Sequence, residues 1–257
     1  MEQISQERFF TMAEAYDKMC QLLVPQYDFL QDEVLKVLSF ERDEEFTVID
    51  LGAGSGIFLE KILKRYSHVK CYWIDYSEDF LKVAKRKFAR FRDKVEYILS
   101  PIENEWESKI DEKVDAIFSM STIHHLESEE KRRLYQRCFK ILKNPGWFFN
   151  IDEMKTIYKD AYLNSLYFWS KHVENGKNRI TKEQRSLYNK WRAHFDDWRL
   201  RNIDNIDKPK TKGDDIHESF IQQIEWLKEI GYVNVDLFIK YHLWCVIGGQ
   251  KWKYSMI

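Results

Sequence analysis

The chain has 257 residues, of which 44% are hydrophobic and 32% charged, and its formal net charge is -1. This suits one α/β domain with an insertion, or two small domains, with enough apolar material for a real core. It excludes a global electrostatic pull toward nucleic acid or anionic lipid, and no apolar run is long enough to span a bilayer, so neither nucleic acid nor membrane is expected as a partner.

In chain order, residues 5–23 read as a helix, with Phe9, Met12, Ala13, Tyr16, Met19 and Cys20 at helical spacing. Pro25 interrupts, and a second helix is predicted from Tyr27 to Leu38. FTVIDLG is a short buried strand and IFLEKILKRY a helix directly after it. VKCYWIDYS is a second strand ending in an acid, followed by the helix EDFLKVAKRKFARF, with Glu78 and Asp79 placed to suit its dipole. VEYIL is a third strand, and KVDAIFSMSTIHHL holds a fourth. SEEKRRLYQRCFKIL is a helix capped by Ser128 and stopped at Asn144-Pro145-Gly146, and GWFFNIDEM is a fifth strand. Five strand–helix alternations predict a Rossmann-like, doubly wound parallel sheet.

The pattern changes after the fifth strand. Residues 155–200 read as helical and aromatic, with Tyr158, Tyr162, Leu166 and Trp169 as one stripe. Leu187, Trp191 and Trp198 form another, beside Phe195. Residues 199–215 are charged and poor in large apolar groups, and are expected to be a mobile connector. A helix, ESFIQQIEWLKEIG, ends at Gly231, and VNVDLFIKY and LWCVIGGQK form an antiparallel pair at the sheet edge. The expected division is an N-terminal helical cap (1–45), a ligand-binding sheet domain (46–154 and 217–257) and a helical lid with a charged connector (155–216). MEQISQERFF lacks the layout of a signal peptide, and Cys20, Cys71, Cys138 and Cys245 form no CxxC pair. A reducing cytoplasmic setting and no metal site are expected.

VIDLGAGSG places Gly52, Gly54 and Gly56 between a strand and a helix. Glycine turns tightly and lets a ligand approach the backbone. A dinucleotide fingerprint needs glycine at position 57, which is Ile57, and a Walker loop needs Gly-Lys-Ser/Thr, so phosphate cradling is disfavoured. Asp75 ends the second strand, where an acid accepts both ribose hydroxyls of a nucleoside. Asp50 precedes the glycines and can orient the loop or meet an amino group. A ligand with ribose, an amino-acid tail and no phosphate is S-adenosylmethionine.

At these residues the chain resembles class I S-adenosylmethionine-dependent methyltransferases. VIDLGAGSG, IDYS at 74–77, SMSTIHHL at 119–126, ILKNPGWFFN at 141–150 and the closing KEIGYVNVDLFIKYHLWCVIGGQK carry the resemblance. It implies a seven-stranded sheet, mostly parallel with an antiparallel last strand, and S-adenosyl-L-methionine as cofactor, held by Tyr27, Asp50, Gly52, Ala53, Gly54, Asp75, Tyr76, Pro101, Ile102 and Met120. YDKMCQLLVPQYDFL and KEQRSLYNKW are similar to segments of carboxy-S-adenosylmethionine synthases and their methyltransferase relatives. That likeness implies that Tyr27 closes over the cofactor and that Arg185 grips a carboxylate. Where those synthases carry Asp-Ile after the third strand, this chain has Pro101-Ile102, and it lacks their asparagine after the fourth. A small-molecule methyltransferase is therefore the leading expectation, with cofactor carboxylation as the alternative.

Methyl transfer needs the acceptor, methyl and sulfur in line and water excluded. His124 and His125 are the candidate bases, since histidine titrates near neutral pH. Tyr16, Tyr162, Trp169 and Arg185 are the candidate substrate contacts. The aromatic surface permits a homodimer without demanding one.

Overall fold

A computed structural model describes residues 13–182, 184–210 and 214–252. Phe9 and Met12, assigned above to the first helix, lie outside the described residues. The elements in chain order are α1 (Ala13–Leu23), α2 (Tyr27–Leu38), β1 (Glu45–Leu51), α3 (Ile57–Arg65), β2 (His68–Asp75), α4 (Glu78–Lys87), β3 (Val95–Leu99), β4 (Val114–Met120), α5 (Ser128–Ile141), β5 (Leu142–Glu153), α6 (Lys159–Gly176), α7 (Arg185–Arg199), α8 (Phe220–Ile230), β6 (Val233–Tyr241) and β7 (Trp244–Lys251).

The strands form one seven-stranded sheet in the order β3-β2-β1-β4-β5-β7-β6. β1 pairs in parallel with β2 and β4, and β4 with β5, whereas β7 runs antiparallel to both β5 and β6. β7 is thus inserted between β5 and the edge strand β6. The strand order reverses between β1 and β4. In such sheets ligands bind beyond the carboxyl ends of the strands at that reversal, which here are the ends carrying Asp50, Asp75 and Met120.

β1 is buried at every position but its first, as a strand covered on both faces must be. Val48, Phe118, Phe149 and Ile151 face one layer, made by α1–α4, α6 and α7. Ile49, Ile117, Phe148 and Ile247 face the other, made by α5 and α8.

Three local expectations change. α5 ends at Ile141, so Asn144-Pro145-Gly146 lies within β5 rather than at the stop of the helix. Ser128 does not cap α5, because its hydroxyl is spent on Glu218. Glu127 takes that place, and Glu130 reaches back to its backbone N–H at 3.0 Å. The stretch 199–215 is also more than a connector. α7 continues into a wider turn at Leu200–Asp204 that buries Asn202 and Ile203. Residues 214–219 then run along the end of β5, with Ile216 N donating to His124 O (2.8 Å) and Lys155 N to Glu218 O (3.1 Å).

The aromatic stripes of α6 and α7 pack on each other. Trp191 stacks on Phe195 and Phe195 on Trp198, each at 5.4 Å, and Trp169 meets Trp198 edge-on at 4.2 Å. The Trp169 indole donates to Leu23 O at 2.7 Å, which ties α6 to the end of α1. Trp169 therefore lies in the core between α1, α6 and α7, the ordinary fate of an aromatic stripe at helical spacing.

Candidate active site

The glycine loop folds over the end of β2, where Gly52 N and Ala53 N both donate to Ile74 O at 2.8 and 3.0 Å. Its glycines have different reasons for being glycine. At Gly52 (φ +69°) a Cβ would lie 2.3 Å from the Thr122 side chain, so this residue is required by packing. Gly54 (φ +52°) has open space, with only the Phe80 ring at 4.0 Å. The open space on that side of Gly54 suits the close approach of a ligand.

Asp75 stands beside it. Its Oδ2 accepts from Gly54 N at 2.9 Å and its Oδ1 from Ser77 N at 2.8 Å. Burial pushes the carboxyl up to about 6, against the hydrogen bonds from the backbone of Ser77, Gly54 and Tyr76. Asp50 is buried too. Loss of water and the charge of Asp75 hold its carboxyl well above the ordinary range. α1 and α2 roof these acids. Tyr16 packs edge-on against Phe80 at 5.5 Å, and Tyr27, the first residue of α2, is buried. Burial raises the Tyr27 phenol, and Tyr16, Cys20 and Asp50 add to the rise.

Two buried polar atoms near the loop have no protein partner among the described residues, Ser55 Oγ and Gln31 Oε1. The other end of the Gln31 amide reaches Met120 Sδ at 3.3 Å. Orphaned polar atoms, an open glycine backbone and an acid at a strand end fit a ligand with amino-acid and ribose groups. Tyr76 is half exposed beside Asp75. Ile102 is turned inward into the core, and its carbonyl accepts from the Trp106 indole at 3.1 Å.

Beyond β4 the chain enters a short turn, Ile123–His125, that carries both histidines. Thr122 links this turn to the glycine loop: its side chain fills the space beside Gly52, and its one hydroxyl proton is shared between Met120 O (3.1 Å) and Gly52 O (3.3 Å). Buried His124 pairs through Nδ1 with Asp152 Oδ1 at 2.6 Å, and Asp152 Oδ2 accepts from the His124 backbone at 2.8 Å. Burial alone would push the imidazole down, but Asp152, with Glu153 and Asp215, holds it up to about 10. At neutral pH His124 is therefore a hydrogen-bond donor rather than a ready base. His125 is more open, 43% exposed at its side chain, with Nδ1 3.2 Å from Asp215 Oδ1. His217 bonds Glu153 through Nε2 (2.9 Å) and the Tyr162 hydroxyl through Nδ1 (2.6 Å).

The structure thus gathers Tyr16, Tyr27, Asp50, Gly54, Asp75 and Met120 on one side and His124, His125 and Tyr162 on the other. It does not bring Arg185 to them: that residue is exposed in the first turn of α7. Sequence reasoning missed Gln31, Asp152, Glu153, Asp215 and His217. The first acid pair was visible as charge at the end of an apolar strand, NIDEM. Asp215 and His217 stood in DDIH, at the end of a stretch read as solvated.

A methyltransferase-domain family model matches residues 48–146. A carboxy-S-adenosyl-L-methionine synthase of Nautilia profundicola is 28% identical over 187 residues, covering 69% of this chain and 76% of the relative. A malonyl-[acyl-carrier protein] O-methyltransferase of Ilyobacter polytropus is 29% identical over 146 residues, and the match spans 56% of this chain and 52% of that protein. The solved structure of an O-methyltransferase family protein from Burkholderia thailandensis superimposes with a TM-score of 0.63 at 18% identity, covering 96% of this chain and 63% of that one, a likeness of fold. The matched segment contains the glycine loop, Asp75 and the histidine turn, and these likenesses support a class I S-adenosylmethionine-dependent methyltransferase related to carboxy-S-adenosylmethionine synthase, with S-adenosylmethionine as its cofactor.

Proposed function

We propose that the chain transfers the methyl group of S-adenosylmethionine to a small molecule held between Gly54 and His125, beneath α6 and α7. The observation that carries this reading is the Thr122 bridge. It joins the turn that carries His124 and His125 to the glycine loop, at the reversal of strand order. Asp75 and Gly54 hold the nucleoside, Gln31 and Ser55 meet its polar groups, and Tyr16 and Tyr27 exclude water. The His124–His125 turn is assigned to the acceptor's proton, with Asp152 positioning His124. Four buried free cysteines suit a reducing cytoplasm, and the described residues contain no helix long and apolar enough to cross a membrane.

The match to a carboxy-S-adenosylmethionine synthase supports a second reading, in which the cofactor itself is carboxylated. Mass spectrometry of the ligand that copurifies separates the two. S-adenosylmethionine or S-adenosylhomocysteine is expected, and a sulfonium bearing an extra carboxylate would replace the first reading by the second.

A further inference from the structure

The side chains between β4, β5 and residues 215–217 form a set of donors that methyl transfer alone does not require. His124 Nε2 and His125 Nδ1 face the same oxygen, Asp215 Oδ1, at 3.7 and 3.2 Å. Glu153 and His217 stand against each other at 2.9 Å. The ligating atoms of His124, His125 and Asp215 lie within 4.8 Å of one another, as do those of Glu153, Asp215 and His217, so two triads share Asp215. Atoms bound to one ion at about 2.0–2.2 Å stand roughly 3–3.5 Å apart, which is close to the spacing already present here.

Three of the five donors, His124, His217 and Asp215, are each oriented by a group outside the cluster. Asp152 takes the Nδ1–H of His124 and leaves Nε2 facing inward. The Tyr162 hydroxyl holds His217 Nδ1, and the Trp198 indole donates to Asp215 Oδ2 and leaves Oδ1 free to face the histidines. Imidazole–carboxylate pairs of this kind fix the tautomer of metal-binding histidines. The neighbouring carboxylates Asp152, Glu153 and Asp215 supply the negative charge that a divalent ion would balance.

We propose that this cluster binds one divalent transition-metal ion, through His124, His125 and Asp215, with His217 and Glu153 closing the site. Two imidazoles and a carboxylate with further positions open suit zinc, manganese, iron(II) or cobalt. An all-oxygen shell would instead suit calcium or magnesium. An ion here replaces protons on the imidazoles and leaves the exposed His125 side open to a ligand. Its catalytic role rests on the methyl-transfer reading: the ion would hold the acceptor's oxygen or nitrogen beside Gly54 and ease loss of its proton.

The test is a cobalt(II) titration of the full, untagged chain after chelator treatment, read by equilibrium dialysis and by the visible spectrum of bound cobalt. It contains neither methyl donor nor acceptor, so its outcome is independent of the methyl-transfer assay. Wild type is expected to bind about one equivalent at micromolar or lower concentration. His125→Ala and Asp215→Ala should lose at least about tenfold in affinity, and Asp152→Asn about ten- to a hundredfold through misorientation of His124. His68→Ala, which alters an exposed histidine on β2, should change nothing. Cofactor affinity of each variant checks its fold. Wild-type protein that leaves micromolar cobalt unbound, or equal binding by wild type and a folded His125→Ala or Asp215→Ala variant, overturns the proposal.

Discussion

Replacing Asp75 by asparagine separates a ligand-binding acid from a loop scaffold, because the two roles predict opposite effects. Raising a buried carboxyl from 3.8 to about 6 costs its ionised form about 3 kcal/mol relative to the unfolded chain. Asparagine removes that cost, which is already net of the bonds from Gly54 N and Ser77 N, and keeps one carbonyl to accept from either. The ligand-free variant at pH 7.5 should therefore melt no lower than wild type. Cofactor binding has no such compensation. Two ribose hydroxyls lose a charged acceptor, worth about 3 kcal/mol together, or about a hundredfold in Kd.

The same carboxyl sets a pH dependence. Its folded value lies above its unfolded one, so the ligand-free protein takes up a proton as pH falls through about 6 and gains stability relative to the ionised form. The bound state needs the carboxylate, so wild-type affinity should weaken from pH 7.5 to pH 5 while Asp75→Asn stays flat. Calorimetric titration gives Kd, and differential scanning fluorimetry gives Tm. A variant that melts far below wild type yet binds S-adenosylmethionine normally would refute the reasoning and leave Asp75 as scaffold alone.

The glycines should divide in the same way. Gly52→Ala combines a left-handed backbone with a 2.3 Å overlap on Thr122, at about 3 kcal/mol and about 6–12 °C in Tm. Gly54→Ala carries only the backbone cost, about 1–2 kcal/mol, yet should bind cofactor at least about tenfold more weakly because its methyl takes the ligand's space. Trp169→Phe leaves Leu23 O without its 2.7 Å donor, which at about 1–3 kcal/mol should lower Tm by about 3–10 °C in thermal melts.

The sheet was legible because each of its parallel strands is a short apolar run closed by a turn residue or an acid, and burial on both faces demands such runs. Asp75 stood out for the same reason, since an acid at the end of the apolar run CYWID has few structural uses. The imidazole–carboxylate cluster was not. Asp215 and His217 belong to a stretch rich in Lys, Asp and Asn, where composition argues for solvent. What orders that stretch is long-range pairing: Ile216 N to His124 O, Lys131 Nζ to Leu126 O and Ile216 O, and His217 to Glu153. Periodicity reports the face an element buries and carries no information about which distant loop completes a polar cluster. The lid aromatics show the converse limit, because a stripe of Trp and Phe marks a buried face without saying whether the burial is against ligand or protein.

Both halves of the site are tied to α6 and α7 by single hydrogen bonds. Tyr162 of α6 holds His217, and Trp198 of α7 holds Asp215. Trp169 of α6 is held in turn by the end of α1, the helix whose Tyr16 covers Phe80 beside Gly54. A displacement of α6 or α7 would therefore strain the Tyr162 and Trp198 bonds that orient the cluster, and would pull on the helix that packs over the cofactor loop. Orientation of His217 and Asp215 and the position of α1 are thus mechanically linked through three side chains.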